Sequence, residues 1–503
     1  MSATFAGRWA EAVAVGKDRP FLAFEDPSGA TTAWTYGEFD AVVAGTAGSL
    51  WARGVRPGSC VHLALTNSPT FVAVWLAAAR LGAWIVPSDP RATAPELAGH
   101  MARTGPVVGL CGADRAGAYT DAAAGGFEVI VIDEADPVVP PALRGDPVDA
   151  SVSPRPPAPE DRLAVMFTSG TTSAPKGVEV TQANYAFAGD VMAAAAALRA
   201  DDRQLVVLPL FHANAQYYSF AAAISVGSSV ALVHAFSAGG FLAQAARHGA
   251  THASLFAAPM RMILLRGATP VDGLRLRHVW YAQNVTDDQY AELAALLGCR
   301  PRQLYGMTET IPAVLTNRAV APVPASMGVP TLGCEVDLRA PDGGPVPPGE
   351  TGEVVVGGRR GLTLFSGYLD DPATTSASFA GGWFLTGDRA HRDANGRFYF
   401  DGRNSDVLKV AGENVSVVEI ESVLSAHVAV LEAAVIGEPD PVRDEVPVAF
   451  VVLRPDAQAI DVDELAQWCA QRLSKPKRPA RIEVVDELPR TSVGKIRKFL
   501  LKR

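Results

Sequence analysis

Short apolar runs alternate with alanine-rich helical stretches through most of the chain. The clearest apolar runs cover residues 61–65, 129–132, 163–167, 205–208 and 230–233. Residues 185–198 have the spacing of a helix that begins after Thr181, whose hydroxyl can cap the first turn. Because strands that alternate with helices favour parallel βαβ layers, the sequence predicts an α/β fold with mixed or parallel sheets and flanking helices.

A polar segment interrupts this pattern late in the chain. Asn395 and Gly396 form a turn signal between two strand-like runs, and the polar residues 401–406 follow. We therefore predict a large N-terminal portion with internal subdomains over residues 1–402, a hinge over residues 403–407 and a small α+β domain over residues 408–503. The proline-rich stretch 146–159 is interpreted as an exposed connection, because apolar alternation resumes directly after it.

One long stretch, residues 204–246, contains no Asp, Glu, Lys or Arg. A membrane-spanning helix needs about 20 mostly apolar residues in a row. Polar or helix-breaking residues interrupt this stretch at Pro209, His212, Asn214, Gln216 and Gly227. We therefore predict buried strands and a helix of an α/β core here, and no membrane partner.

The termini and cysteines bear on the compartment. The first residues lack a basic region followed by an apolar run, so export is not indicated. The 5 cysteines are scattered along the chain, which supports neither a disulfide framework nor a zinc site. A reducing, cytoplasmic location is the expectation.

The overall charge argues against a general nucleic-acid binder. The chain has 44 Lys and Arg against 53 Asp and Glu, a net charge of −9, which would not neutralise a phosphate backbone. The C-terminal residues 472–503 are nevertheless basic. Such a tail is either an ordinary solvated face or a surface that approaches phosphates.

A loop rich in glycine and hydroxyl residues directly follows the apolar run 163–167. It reads Thr168-Ser-Gly-Thr-Thr-Ser-Ala-Pro-Lys176-Gly177. Backbone N–H groups, hydroxyls and the Lys176 ammonium can surround an anion, so the loop favours phosphate binding. It is not a Walker loop, because Val178 stands where Ser or Thr is required. The alternative is a surface turn rich in Ser and Thr.

This loop and three further segments resemble the signatures of adenylate-forming enzymes, the superfamily of acyl-CoA synthetases, adenylation domains and firefly-luciferase-like proteins. The further segments are Tyr305-Gly-Met-Thr-Glu-Thr310, Thr386-Gly-Asp388 with Asp401-Gly-Arg403, and Pro489-Arg-Thr-Ser-Val-Gly-Lys495. The resemblance extends over essentially the whole chain, and four ordered motifs are more specific than any one of them.

The resemblance implies an ATP site. It gives catalytic roles to Lys176, Thr308, Glu309 and Lys495, with Glu309 also holding Mg²⁺, for which a hard carboxylate oxygen is suited. Lys495 would stabilise the transition state by charge and position. The implied nucleotide-binding residues are Thr168, Ser169, Gly170, Thr171, Thr172, Tyr305, Asp388 and Arg403. The family rotates its small domain between two half-reactions, and the matching hinge position is Ser405.

The resemblance also implies an acyl pocket, formed by His212, Tyr217, Tyr281, Ala282 and Met307. His212 stands where amino-acid-activating members have an aspartate, which disfavours an α-amino acid as substrate. The alternative for His212 is a buried histidine satisfied by the backbone. Ser173 and residues 280–284 depart from the glycine-rich pattern of the family, so the shape of the pocket is less transferable.

We therefore expect an ATP- and Mg²⁺-dependent ligase for a small carboxylic acid, which forms an acyl-adenylate and pyrophosphate and then a coenzyme A thioester and AMP. Within the superfamily, the alternative acceptor is a carrier protein, an amine or another nitrogen nucleophile. An ATP phosphotransferase and a non-catalytic nucleotide-binding protein are the alternatives from other classes.

Overall fold

The computed structural model describes residues 3–148, 155–168, 175–403, 407–410, 413–454, 461–490 and 496–501. Four sheets with flanking helices make up this part of the chain, which confirms the predicted α/β class. The helices are α1 (Phe5–Gly16), α2 (Tyr36–Ala52), α3 (Pro69–Leu81), α4 (Ala94–Thr104), α5 (Ala116–Ala123), α6 (Gln182–Ala196), α7 (Ala222–Val226), α8 (Phe241–Arg247), α9 (Ala257–Leu265), α10 (Asp287–Leu297), α11 (Pro372–Ala377), α12 (Val417–Ser425) and α13 (Val462–Arg472).

In sheet 1, all neighbouring strands from β1 to β13 are parallel, as the alternation of strands and helices predicted. Its strands in spatial order are β15 (Val329–Pro330), β14 (Leu315–Thr316), β13 (Arg302–Tyr305), β12 (His278–Ala282), β11 (His252–Phe256), β9 (Arg203–Val206), β10 (Ser229–Val233), β1 (Pro20–Glu25) and β2 (Thr31–Thr35).

Sheet 2 places a hairpin beside a parallel centre. Its strands in spatial order are β18 (Gly367–Tyr368), β8 (Lys176–Thr181), β7 (Arg162–Thr168), β4 (Trp84–Pro87), β3 (Cys60–Ala64), β5 (Val108–Gly112) and β6 (Glu128–Ile132). Strands β7 and β8 are antiparallel, so the glycine- and hydroxyl-rich loop joins two neighbouring strands and does not lead directly into a helix.

Sheets 3 and 4 follow. Sheet 3 has the order β16 (Glu335–Arg339), β17 (Thr351–Gly357), β20 (Trp383–Arg392) and β19 (Phe379–Ala380), with β21 (Phe398–Arg403) also on β20. Sheet 4 has the order β23 (Glu413–Ser416), β22 (Val407–Val410), β25 (Asp444–Leu453) and β24 (Val430–Asp440), with β26 (Arg481–Val484) on β25. Helices α12 and α13 pack with sheet 4 in a core of their own, and the exact domain boundaries stay a prediction.

Helix α6 begins where its sequence predicted. The Thr181 hydroxyl accepts a hydrogen bond from the Asn184 backbone N–H, and the Asn184 side chain accepts one from the Thr181 N–H. This reciprocal capping box satisfies two backbone donors that the first turn leaves unpaired. Asn184 also donates to the carbonyls of Leu362 and Leu364, so the start of α6 is fastened to the segment before β18.

The uncharged stretch 204–246 forms core structure. It contains most of β9, a π-helix over Asn214–Ala221, α7, β10 and all of α8 except its last residue. The predicted strands and helix are confirmed, whereas the π-helix was not foreseen. Among the described residues, no helix is long and apolar enough to cross a bilayer.

Sheet 1 separates two hydrophobic cores. The first core joins α3, α6 and the π-helix to sheets 1 and 2, and it contains Trp75, Tyr185 and Trp280. The second core lies against the other face of sheet 1, where α8, α9 and α10 cover residues such as Leu255 and Tyr281. The two faces of one strand therefore belong to different cores.

The cysteines are free thiols. Cys60, Cys111 and Cys469 are buried, and Cys299 and Cys334 are half-buried. In each case burial raises the pKa of the thiol, for example to about 11 at Cys299 and about 12 at Cys60. A buried thiol with a raised pKa carries little of the nucleophilic thiolate at neutral pH.

Candidate active site

The β7–β8 hairpin presents the predicted phosphate loop at the edge of sheet 2. Thr168 pairs with Lys176 at the end of the hairpin, and the Thr168 hydroxyl lies 3.5 Å from the Lys176 carbonyl oxygen. Arg103 on α4 donates to the carbonyl of Pro175 at 2.6 Å and to that of Leu369 at 3.3 Å. The described end of the loop is thus held to α4. The predicted contacts Ser169, Gly170, Thr171 and Thr172, and also Ser173, lie outside the described residues.

Lys176 lies beside the predicted metal ligand. Its ammonium nitrogen is 4.8 Å from the centroid of the Tyr368 ring, and the Tyr368 hydroxyl donates to Glu309 Oε1 at 3.1 Å. Tyr368 reaches this position because β18 pairs with β8, opposite Val178. The structure therefore brings together Lys176 and Glu309 through an aromatic ring that the sequence motifs did not include.

Glu309 is a buried carboxyl group with only 4% of its surface exposed. Burial raises its pKa above the ordinary value, and this effect exceeds the lowering by the Tyr368 hydrogen bond and by the charges of Lys176 and Arg403. An ionised carboxylate at such a place needs a cation nearby. The hard carboxylate oxygens of Glu309 would suit a divalent cation such as Mg²⁺.

Backbone geometry fixes the turn that carries Thr308 and Glu309. The Thr310 hydroxyl accepts from the Met307 N–H at 3.0 Å and is also 3.0 Å from the Met307 carbonyl oxygen, to which it donates. The next residue, Ile311, has φ of 70° and ψ of −81°. A positive φ is strained for a β-branched residue, and such strain concentrates at functional sites.

Gly306 is also required by this turn. A Cβ atom at this position would lie 2.9 Å from the Pro312 carbonyl oxygen and 3.0 Å from the Ala313 Cα atom. Both neighbours are backbone atoms, which cannot move aside as a flexible side chain could. The turn between Tyr305 and Ile311 is therefore closed tightly enough to exclude any side chain at Gly306.

The opposite end of the same segment joins three predicted nucleotide contacts. The Tyr305 hydroxyl donates to Asp388 Oδ2 at 2.7 Å, and Arg403 Nε lies 2.8 Å from Asp388 Oδ1. Asp388 is 3% exposed, and its backbone N–H donates to the Thr386 hydroxyl at 3.1 Å. Burial raises the pKa of Tyr305 well above its ordinary value, so its hydroxyl remains a donor.

The predicted acyl-pocket residues fall into two groups. Tyr217 on the π-helix is fully buried, with its hydroxyl 3.7 Å from Met166 Sδ and its ring edge-on to Tyr185. Ala282 and Met307 are half-buried against the same first core, together with Ala213 and Tyr305. His212 lies before the π-helix and is half-buried. The centroid of its ring is 4.4 Å from the centroid of the Phe211 ring. We refer to Tyr217, Ala282, Met307 and His212 as the acyl wall, and their role in binding the acid stays a prediction.

Tyr281 does not belong to that wall. It lies on the opposite face of β12 from Ala282, in the second core, and its hydroxyl donates to the Pro324 carbonyl at 2.8 Å. The alternation of side chains along a strand separates these adjacent residues. Gln283, which follows Ala282, has φ of 74°, in the left-handed region that favours glycine. It belongs to the segment 280–284 that departs from the glycine-rich pattern of the family.

Two further predicted residues, Lys495 and the hinge residue Ser405, lie outside the described residues. The start of the Lys495 motif and the residues after it are described. The Arg497 N–H donates to the Pro489 carbonyl at 2.7 Å, and Arg490 and Ile496 form an isolated antiparallel β-bridge. The described residues on the two sides of the undescribed stretch 491–495 are therefore neighbours in the small domain.

Sequence reasoning missed three groups beside the site, namely Tyr368, Arg103 and a buried polar network. In this network Ser88 Oγ lies 3.1 Å from His62 Nε2 and 2.9 Å from His100 Nδ1. The His100 ring stacks on Phe167 with the ring centroids 4.0 Å apart. Phe167 immediately precedes the phosphate loop, but none of these residues has a local sequence signal, because the fold brings them together from distant segments.

Comparisons with known proteins cover nearly the whole chain. The family described as AMP-binding enzyme matches residues 9–369, and the AMP-binding enzyme C-terminal domain matches residues 419–495. The chain is 33% identical over 513 residues to a crotonobetaine/carnitine–CoA ligase of Salmonella arizonae, covering 98% of both chains. It is 33% identical over 511 residues to the enzyme of the same name from Citrobacter koseri, again covering 98% of both.

Solved structures are similar over the full length. A benzoate CoA ligase from Burkholderia xenovorans LB400 superimposes with a TM-score of 0.88 and 25% identity, covering 99% of this chain and 100% of that one. An O-succinylbenzoate coenzyme A synthetase from Bacillus subtilis in complex with AMP gives a TM-score of 0.85 and 28% identity, covering 99% and 98%.

Proposed function

The chain belongs to the family of AMP-binding enzymes and is an ATP-dependent acid–CoA ligase, and on that premise we propose how its residues carry out the two half-reactions. A carboxylate attacks the α-phosphate of ATP, which releases pyrophosphate and leaves an acyl-adenylate. The thiol of coenzyme A then attacks the acyl carbon, which releases AMP and forms the thioester. The small carboxylic acid and the two cosubstrates define what the site must hold.

One observation supports the assignment of the nucleotide site above all others. Segment 305–310 reaches Asp388 at one end, through Tyr305, and Lys176 at the other, through Glu309 and Tyr368. In the proposal, Asp388 accepts the ribose hydroxyls, with Tyr305 and Arg403 holding its carboxylate in place. Lys176, Thr308 and the phosphate loop hold the phosphates at the other end.

Mg²⁺ is part of the proposal. A divalent cation at Glu309 would compensate the buried carboxylate and neutralise charge on the phosphates, which is the chemistry that it supplies when bound. No group of three or more His, Cys, Asp or Glu side chains suited to a metal occurs within the described ranges. Glu309 would hold the cation through its hard carboxylate oxygens.

Charge near Lys495 completes the proposed mechanism. Attack of one anion on another brings negative charges together, so a cation placed between them lowers the barrier without forming a bond. The basic segment 472–503 carries Lys495, and the second half-reaction uses the same site after rotation about a hinge that we place at Ser405.

A buried positive charge beside β12 narrows the choice of acid. Crotonobetaine and carnitine, in the names of the similar ligases, contain a trimethylammonium group. Here the buried Arg302 guanidinium lies over the Trp280 ring, 4.5 Å from its centroid, on the strand beside β12. A second cation close to this buried one would be costly. We therefore propose an acid whose tail carries no positive charge.

The decisive experiment supplies the protein with ATP, Mg²⁺ and a panel of small carboxylic acids, with and without coenzyme A. We expect pyrophosphate and AMP, and a thioester only when coenzyme A is present. ADP and inorganic phosphate would contradict the ligase mechanism. Pyrophosphate release without a thioester would indicate a carrier protein or a nitrogen nucleophile as the acceptor.

A further inference from the structure

Three buried polar groups near the acyl wall have no hydrogen-bond partner among the described residues. They are both side-chain polar atoms of Asn214, the Ser254 hydroxyl and the Trp280 indole N–H. Their residues are only 5%, 4% and 1% exposed, respectively. Leaving a buried polar group unpaired costs about 1–3 kcal/mol, so such groups call for an unrecorded partner.

These groups lie on elements that touch one another. Ser254 on β11 and Trp280 on β12 are direct neighbours in the parallel ladder, so their side chains point to the same face of sheet 1. Trp280 belongs to the first core, which identifies that face. Asn214 begins the π-helix, which packs on β9 and β11 over the same face.

The same face leads to the acyl wall. Ala282 follows Trp280 by two residues on β12, so it points the same way and lies about 7 Å further along the strand. Ala282 and Ala213, the residue before Asn214, are half-buried against the first core together with Met307. Asn214 and Trp280 are therefore more buried than the half-buried Ala213 and Ala282 beside them.

We infer that Asn214, Ser254 and Trp280 form the polar inner end of the acyl pocket and bind an uncharged hydrogen-bonding group, such as a hydroxyl, at the far end of the carboxylic acid. This inference rests on the proposed function and specifies its substrate class. The carboxylate of the acid stays at the nucleotide site, and its tail enters between the π-helix and sheet 1.

The chemistry of the three groups selects an uncharged tail. The Asn214 amide supplies a donor and an acceptor, the Ser254 hydroxyl can do either, and the indole N–H only donates. Arg302 is the charged neighbour of Trp280, but it already donates to the carbonyls of Asn317 and Ala195. The three groups themselves are neutral, so a carboxylate tail would give up its hydration for uncharged partners, and a trimethylammonium tail could not hydrogen-bond to any of the three.

Away from this face, too, some buried polar atoms have no partner within the described part of the chain. The Ser228 hydroxyl is one, in the turn between α7 and β10, where its carbonyl accepts from the Tyr36 hydroxyl at 2.7 Å. Ser228→Ala is therefore a matched control for Ser254→Ala, since each substitution removes one unpaired buried hydroxyl.

The test compares acids that differ by one hydroxyl, namely butanoate with 4-hydroxybutanoate and benzoate with 3-hydroxybenzoate, together with succinate and crotonobetaine. The readout is kcat/KM for pyrophosphate release by the wild type, Asn214→Leu, Ser254→Ala and Ser228→Ala. We expect the wild type to prefer the hydroxy acid by roughly 10- to 100-fold in at least one pair. Asn214→Leu and Ser254→Ala should reduce that preference to about threefold or less, and Ser228→Ala should retain it.

Three results would overturn the inference: no hydroxyl preference in the wild type, as water alone in the pocket would give; an unchanged preference in both Asn214→Leu and Ser254→Ala; or succinate or crotonobetaine as the best substrate. Thermal unfolding of each variant shows that it is folded, and the conservative Ser254→Ala keeps the test valid if Asn214→Leu is not. Absence of pyrophosphate with every acid would instead contradict the proposed function itself.

Discussion

At the scale of single residues, the site depends on a few side chains whose partners come from distant parts of the chain. Tyr305 and Asp388 meet because β20 lies alongside the end of segment 305–310, and Glu309 meets Tyr368 because β18 adds to sheet 2. Their motifs predicted Tyr305, Glu309 and Asp388 but not these contacts. The contacts nevertheless decide how far each side chain can move.

The hydroxyl of Tyr305 can be tested by removing it alone. In Tyr305→Phe, Asp388 loses its 2.7 Å donor, and a hydrogen bond to a charged acceptor contributes about 1.5–3 kcal/mol. We expect KM for ATP in pyrophosphate release to rise by roughly 10- to 100-fold. Tyr399→Phe, which removes a 3.3 Å hydrogen bond to Asp393, should leave KM unchanged. Equal effects of the two variants would contradict the ribose role of Asp388.

Gly306 gives a second prediction, about shape. Gly306→Ala places a methyl group against the backbone of Pro312 and Ala313, which should displace Thr308 and Glu309. A displacement of about 1 Å can cost about 100-fold in rate, so we expect adenylation to fall by that order. Gly117→Ala on α5, where a Cβ meets nothing within 4 Å, is the control and should retain full activity. Wild-type adenylation by Gly306→Ala would show that the turn tolerates a side chain.

At the scale of elements, apolar patterning predicted the central strands well. Strands β3, β7 and β10 are buried on both faces, so they appear in the sequence as continuous apolar runs. The helix after Thr181 was predictable because its cap and its periodicity agree. The π-helix was not, because residues 214–221 are buried almost all round and carry no periodic signal.

Residues far apart in sequence form the remaining part of the site, which local pattern cannot reach. The antiparallel return of β7 into β8 was not foreseen, since the loop alone does not say whether a helix or a strand follows. The opposite placement of Tyr281 and Ala282 follows from strand alternation, but only once β12 is known to end at Ala282. Local sequence therefore nominates candidate site residues, whereas their surroundings depend on contacts between distant segments.

The buried network around His62, which joins β3, α4 and α5, predicts that the free energy of unfolding depends on pH. Burial lowers the pKa of His62 to about 3, against about 6.5 in an unfolded chain. The unfolded state binds the proton more readily than the folded state does. The free energy of unfolding therefore has its full value above about pH 6.5 and falls as the pH is lowered toward 3. We expect the unfolding free energy of His62→Gln to fall less steeply with acidification than that of the wild type, by up to about 1.4 kcal/mol per pH unit.

Chemical denaturation between about pH 7 and pH 4 checks this, since the range brackets most of the loss that linkage requires. Tyr119→Phe removes the hydroxyl that lies 2.8 Å from His62 Nδ1 but keeps the imidazole. This variant should be less stable at every pH while retaining a slope close to that of the wild type. Parallel curves for the wild type and His62→Gln would show that His62 does not contribute to the acid sensitivity.

At the scale of the whole molecule, the two half-reactions should separate in one variant. Lys495→Ala removes the cation proposed to assist attack on the α-phosphate, so we expect pyrophosphate release from acid and ATP to be abolished. Thioester formation from supplied acyl-adenylate and coenzyme A should continue near the wild-type rate, because that step does not join two anions. Lys475→Ala removes an exposed lysine of the same basic segment and should affect neither step. Equal loss of both steps in Lys495→Ala would contradict its assigned role.

The five protected thiols make this chain suited to distance measurements between its two parts. Because burial holds their pKa values above the ordinary range, maleimide reagents at neutral pH should react with them slowly. A cysteine introduced at an exposed position of each part would then be labelled selectively, without removing any native cysteine. Pairs of spectroscopic probes, one on the large N-terminal portion and one on the small domain, would then report the distance between them during turnover with little labelling of the native thiols.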